Sequence, residues 1–181
     1  MRTSTGQLND FTCAVIFNNI TGISQSTRRL VDKSYNAGFW MGGSGGGTPD
    51  TINYFGGGIL ESGSPYGTFM YLPAKQWHQM VMCRQGTLKC LYGDGVLGAT
   101  STVSSAAFDT TQMGIFDLAA GGAASNCAIA QVLLWNRSLS SQEVSTLYQD
   151  PFAMFRPRPL ILKPTAAVGF NPAIASFFPF F

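Results

Sequence analysis

The sequence predicts an all-β protein: an antiparallel β-sandwich with one short helix and an extended apolar C-terminal tail. Three observations carry this. About eight or nine short apolar or alternating runs are separated by turn residues at the spacing of a sandwich. Only one segment, starting at Ser140 and ending near Asp150, has a helical period. Charged residues make up 11% of the chain and hydrophobic residues 45%, against about a quarter charged in a typical soluble domain. Gly, Ser, Thr, Asn and Gln replace the missing charge, as in β-rich surface proteins that neighbours cover.

Residues 8–20 read as the first strand, because Phe11, Cys13, Val15 and Phe17 alternate with smaller or polar residues. Arg28–Lys33 reads as a second. Between Phe39 and Gly58, glycines at 42, 43, 45, 46 and 47 and at 56, 57 and 58 lie among Phe39, Trp40, Tyr54 and Phe55. Glycine weakens a strand interior, so long loops between short strands are expected there. Residues 66–72, 76–84, 87–92 and 95–103 read as strands, the last two joined by Asp94-Gly95, a two-residue hairpin signal. Met113–Leu118 is another short strand. Ile129–Trp135 is apolar and β-branched, long enough for a strand covered on at least one side. The period then changes: Ser140 is placed as N-cap, Glu143 as its capping-box partner, and Leu139 and Val144 as a hydrophobic staple. Val144, Leu147 and Tyr148 share one helix face, and Pro151 ends the helix by disfavouring helical backbone at Asp150.

These residues carry a resemblance. The closing strand, then Trp-Asn-Arg-Ser-Leu-Ser-Ser-Gln-Glu-Val and Leu-Tyr, resembles the final signature of laminin G-like, concanavalin A-like jelly-roll domains. Trp77-His78-Gln79-Met80-Val81 and Leu88 to Val96 resemble the central hairpins of that family, and Asp10 to Val15 an early strand. The resemblance covers roughly residues 8–150. It implies a concanavalin A-like sandwich in residues 1–156, with 157–181 as a Pro- and Phe-rich extension. The junction Asp150-Pro151-Phe152-Ala153-Met154-Phe155-Arg156-Pro157 resembles tails that follow such domains in bacteriophage and prophage-encoded proteins.

The chain has 181 residues, enough for one domain with an appendage, and a net charge of +2, which gives no basis for a nucleic-acid or anionic-membrane partner. Residues 164–181 are at the short limit for a membrane span and carry Asn171, Pro172 and Pro179, so no membrane is expected. Met1 is followed by polar residues without an apolar core, so no secretory signal and a reducing cytoplasm during folding are expected. Cys13, Cys83, Cys90 and Cys127 match neither a zinc nor a Cys-x-x-Cys redox spacing. If Gln85-Gly86 forms the hairpin turn, Cys83 faces Leu88 and lies diagonal to Cys90 at about 7–8 Å, beyond disulfide reach. All four then read as buried small apolar residues.

Candidate chemistry is sparse. His78 is the sole histidine, on a strand with its side chain opposite Trp77, and reads as structural. A His-rich metal site is excluded. The acids Asp10, Asp32, Asp50, Glu61, Asp94, Asp109, Asp117, Glu143 and Asp150 include no close pair and no Glu-x-Asp-x-x-Glu pattern, which disfavours a glycan-active hydrolase. Asp94 is explained by its turn and Glu143 by its capping box. The glycine runs lack the Gly-Lys-Ser/Thr ending of a phosphate loop. No cofactor is expected; the resemblance leaves calcium open at Asp109 or Asp117. Trp40, Asp50, Asn53, Tyr54 and Tyr66 form the candidate glycan site, an aromatic platform beside amide and carboxylate groups. The alternative places Trp40 and Phe55 in the core.

The main functional expectation is a non-enzymatic structural subunit of a phage-like virion (capsid decoration protein, head fibre or tail-associated protein), folded in the host cytoplasm. Its partners would be its own copies and capsid or tail subunits. Phe152, Phe155, Leu160, Ile161, Leu162, Phe170, Phe177, Phe178, Phe180 and Phe181 would make the assembly contacts. Because only about seven polar residues precede Leu8, the closing strand is expected to have an open edge, which Leu160–Lys163 or Ala166–Phe170 would fill by strand addition. The alternative is a carbohydrate-binding adhesion module with a host glycan as partner.

Overall fold

The computed structural model describes residues 10–19, 29–33, 38–43, 54–59, 68–73, 75–103, 113–115 and 127–156. Ten strands and one helix appear among them: β1 (Phe11–Asn19), β2 (Arg29–Lys33), β3 (Phe39–Gly43), β4 (Tyr54–Ile59), β5 (Thr68–Tyr71), β6 (Trp77–Gln85), β7 (Leu88–Gly93), β8 (Val96–Thr102), β9 (Gly114–Ile115), β10 (Cys127–Trp135) and α1 (Ser141–Gln149). They form two antiparallel five-stranded sheets. Sheet I runs β10-β1-β6-β7-β8 and sheet II runs β5-β4-β3-β2-β9.

The alternation read in β1 decides how the sheets meet. Phe11, Cys13, Val15 and Phe17 enter the inter-sheet core with Met80 and Met82 from β6, Leu91 from β7, and Phe39, Met41, Phe55 and Ile59 from sheet II. Two aromatic pairs bridge the sheets: Phe11 with Phe39 and Phe17 with Phe55, each with ring centroids 4.8 Å apart. Thr12 and Ala14 point to the other face of sheet I. There Ala14, Val81, Cys83 and Tyr92 form a second apolar cluster with Leu139 and Val144 of the helical segment.

The helix is built as its sequence predicts. The Glu143 amide donates to the Ser140 hydroxyl, and the Glu143 carboxylate accepts from the Ser140 amide at 2.9 Å. Leu139 and Val144 are buried side by side as the staple requires, and the helix ends at Gln149, before Pro151. The Thr12 hydroxyl ties this connection to sheet I, accepting from the Leu139 amide and donating to the Arg137 carbonyl, both at 2.9 Å.

The glycine-rich segments correct the sequence reading. Gly42 and Gly43 lie in β3 and Gly56, Gly57 and Gly58 in β4, paired in register. Close packing is the reason. A Cβ on Gly58 would lie 2.2 Å from Trp40 Nε1, and one on Gly57 would lie 2.9 Å from Met82 Sδ and 3.1 Å from the Trp40 carbonyl oxygen. Here glycine marks contact between a strand and a bulky neighbour.

The β6–β7 hairpin is a second correction. Its turn is Gly86-Thr87, with Gln85 opposite Leu88, so Cys83 lies directly opposite Cys90. Gly86 takes φ 57°, and a glycine at the first of two turn positions suits the II′ geometry that matches strand twist. In the β7–β8 turn both residues are left-handed, Asp94 at φ 50° and Gly95 at 79°, as an Asp-Gly hairpin predicts. All four cysteines are free; Cys13, Cys83 and Cys127 are buried, and Cys90 is half-buried.

Among the described residues β10 pairs only with β1 and is an outer strand of sheet I. Its Leu134, opposite core-facing Cys13, is nevertheless 51% exposed. By its contacts the chain divides into Met1–Pro151 and Phe152–Phe181. The described part of the second unit is a single 3-10 turn at Ala153–Phe155. The assembly residues from Leu160 to Phe181, with the two segments expected to fill an edge, lie outside the described residues.

Candidate functional site

The outer face of sheet II gathers side chains that the sequence leaves far apart. Residues three apart on a regular strand point to opposite faces. β2 departs from this: its register shifts between Arg29 and Val31, so Arg29 pairs with Gly42 and Asp32 with Trp40. Arg29, Asp32 and Trp40 therefore share one face, opposite core-facing Val31 and Met41. The Arg29 guanidinium stacks over the Trp40 ring at 4.0 Å and its Nε stands 3.8 Å from Asp32 Oδ2. All three side chains are buried. Trp40 in turn lies on Gly58, where no Cβ intervenes.

Beside this cluster the same face has a row with no side chains at two successive strands, Gly42 opposite Gly56. Beyond it Tyr54 pairs with Tyr71. Tyr71 is 57% exposed, and its neighbour Met70 packs inward on the core, so the tyrosine projects from the outer face. Along this face lie a buried charged and aromatic cluster, the buried glycine pair Gly42 and Gly56, and an exposed phenol.

Trp40 is 1% exposed under Arg29, which rules it out as an open platform and agrees with the core alternative, as does buried Phe55. Tyr54 keeps its place at the start of β4. Asp50, Asn53 and Tyr66 lie outside the described residues, as do Asp109 and Asp117. Arg29, Asp32 and Tyr71 were not expected as site residues. The charges that bracket Leu30-Val31 were the available signal, but the bulge that brings them together has no mark in the sequence.

Several of the remaining described polar groups have structural partners, whereas the side-chain amides of Gln79 and Gln131 are buried without a hydrogen-bond partner. His78 Nδ1 lies 2.8 Å from Asp94 Oδ2 and Nε2 lies 2.8 Å from the Pro73 carbonyl oxygen. Both partners are acceptors, so a fully satisfied ring carries two protons. Burial pushes its pKa down; the hydrogen bonds to Asp94 and Pro73 and the charge of Asp94 outweigh this and raise it. Asp94 also accepts from the Gln79 amide at 2.8 Å, which accounts for the His and the Asp-Gly of the central hairpins. Asp10 accepts from the Gly86 amide at 2.7 Å, and Glu143 is held by Ser140 and by Arg137. Two cations missed in the sequence, Arg84 and Lys89, are fully buried cross-strand partners on the core side. Lys89 Nζ donates to the Gly57 carbonyl at 3.2 Å and Arg84 Nε to the Gly86 carbonyl at 2.9 Å. Among the described residues no three His, Cys, Asp or Glu side chains converge as a metal set, and no helix is long and apolar enough to cross a membrane.

This arrangement can be set beside known proteins. Residues 2–145 match the family described as the concanavalin A-like lectin/glucanases superfamily, in its laminin G-like branch. The chain belongs to that family. A comparison with curated protein sequences finds no match. Among solved structures, a Bacteroides ovatus protein proposed to bind carbohydrate aligns with TM-score 0.64 at 13% identity, over 80% of this chain and 42% of that one. Botulinum neurotoxin type C, in a study of its interaction with two ganglioside molecules, aligns with TM-score 0.55 at 11% identity, over 77% and 35%. A Trypanosoma rangeli sialidase aligns with TM-score 0.53 at 18% identity, over 80% and 23%. At such identities the likeness is one of fold. The chain spans less than half of each of these proteins.

Proposed function

We propose that this laminin G-like sandwich is a glycan-binding module whose contact face is the outer face of sheet II. The observation that carries the proposal is Tyr71, more than half exposed on the outer face of sheet II. An exposed aromatic ring accepts the apolar face of a pyranose. Arg29, Asp32 and Trp40 are buried and act as the support that holds β2, β3 and β4 together. Family membership and the carbohydrate-related proteins among its structural neighbours support the same reading. The described carboxylates Asp10, Asp32, Asp94, Glu143 and Asp150 each have a partner within the chain, which favours binding over turnover.

The test is a glycan array of neutral and sialylated oligosaccharides with the full chain and Tyr71→Ala. Binding by the wild type and at least a tenfold loss in a folded Tyr71→Ala protein are expected. A wild type that binds nothing, or a variant that binds equally well, overturns the proposal. The placement of the module on a virion rests on the sequence of residues 150–181. It predicts that a chain ending at Arg156 folds but no longer joins an assembly that the full chain enters.

A further inference from the structure

We propose that Cys83 and Cys90 are an oxidisable dithiol that closes into a cross-strand disulfide beneath α1. This does not depend on glycan binding. The two residues are direct partners on β6 and β7. The Asp94 amide donates to the Gln79 carbonyl at 2.8 Å, which makes the opposed pair 79 and 94 a hydrogen-bonded one. Counting two residues at a time along the continuous register gives the same geometry at 81 and 92 and at 83 and 90. Such a pair has its Cα atoms about 5.5 Å apart, inside the span of about 4.4–6.8 Å found across disulfides. Both side chains point to the face that α1 covers, amid Val81, Tyr92, Leu139 and Val144, and both are free thiols.

The bond would be a labile one. Directly opposed Cβ atoms lie about 4.5–5.5 Å apart, wider than the roughly 3.5–4.5 Å of a relaxed disulfide. Closure therefore draws the strands together, and strained bridges are the reducible ones. Cys83 Sγ also lies 3.4 Å from the Thr12 hydroxyl, the group that anchors the Leu139 amide and the Arg137 carbonyl. Oxidation would move a sulfur at the point where the helix is fastened to sheet I.

Cys90 is the more accessible of the two and reacts first. Its thiol loses a proton, and the thiolate attacks one sulfur of a low-molecular-weight disulfide. The S–S bond of that molecule breaks and releases a small thiolate, which takes up a proton. The Cys83 thiolate then attacks the Cys90 sulfur of the mixed disulfide and releases the second small thiol. Two protein thiols are oxidised by two electrons while one small disulfide is reduced to two thiols. Burial raises the pKa of both thiols, so the rate should climb about tenfold per pH unit through neutrality.

The experiment is incubation of the full chain with oxidised glutathione, followed by intact mass and peptide mapping. Loss of two hydrogens, a Cys83–Cys90 link reversed by dithiothreitol, no closure in Cys90→Ser and unchanged closure in Cys127→Ser are expected. A wild type that keeps all its thiols, that stops at a glutathione adduct, or whose link maps to Cys13 or Cys127 would overturn the proposal. The wild-type map alone decides, so misfolding of a variant does not obscure the result.

Discussion

Replacing His78 with Gln tests whether the buried ring is held as an imidazolium, because the loss of stability should then depend on pH. The ring is 4% exposed and packs 6.0 Å from Phe17, with Asp94 and the Pro73 carbonyl at its two nitrogens. Its folded pKa is raised above the ordinary value of about 6.5. A raised value means the folded state binds the proton more tightly than the unfolded chain. The added stability is fully present below about pH 6.5 and fades as pH rises through the folded pKa. One hydrogen bond to a charged partner and one to a backbone carbonyl are lost on substitution, about 2–4 kcal/mol at low pH. Each unit by which the folded value exceeds the ordinary one contributes about 1.4 kcal/mol that should vanish at high pH. Urea unfolding of wild type and His78→Gln at about pH 6 and pH 9 reads the difference, and the subtraction removes the titration of other groups. An equal loss at both pH values, or a larger one at pH 9, would refute the protonated pair.

The packing argument for glycine predicts that Gly58→Ala costs about 1–3 kcal/mol in urea unfolding, because its Cβ would meet a Trp40 ring pinned by Arg29. Gly98→Ala should cost much less, since its new Cβ meets the flexible end of Met70 at 2.8 Å. Ser140→Ala should cost about 1 kcal/mol, measured in the same way. The Glu143 carboxyl is held down to about 2, first by the Arg137 hydrogen bond and then by Ser140. The cap's contribution is therefore present above the ordinary carboxylate range and fades as pH falls towards 2. A Ser140→Ala effect equal at pH 7 and at acid pH would show that the box adds nothing electrostatic.

The sandwich was legible in this sequence wherever local chemistry and tertiary packing agree. β1 alternates because one of its faces is the core, and Asp94-Gly95 turns because that pair accepts two left-handed residues at little cost. The capping box from Ser140 to Glu143 is self-contained, so it needed no knowledge of the rest. Glycine misled because its two uses oppose each other: a glycine run loosens an isolated strand, yet Gly57 and Gly58 are required where Trp40 and Met82 press on β4. The Cys83 register failed through a one-residue shift of the turn, which changes every partner along the hairpin. The site on sheet II was hidden for a related reason. A bulge at Leu30 reverses the alternation that a reader would apply to Arg29 and Asp32.

The two outer faces make different demands on a ligand, and this gives a sharper test than loss of binding alone. Part of the outer face of sheet I is covered by the segment from Leu139 into α1, fastened through Thr12, Leu139 and Val144. Beyond it Trp77, opposite Asn18, is 55% exposed, nearly the same as Tyr71 on sheet II. Exposure by itself therefore does not choose between the two aromatics. Their rows differ: the row two residues from Trp77 carries Ile16 between Gln79 and Gln131, whereas the row two residues from Tyr71 runs through Phe69, Gly56, Gly42 and Arg29. The proposed face on sheet II therefore ranks Tyr71 above Trp77. Tyr71→Ala should reduce glycan affinity at least tenfold and Trp77→Ala should leave it within about twofold, measured by calorimetry on folded proteins. The opposite ranking would move the binding face to sheet I.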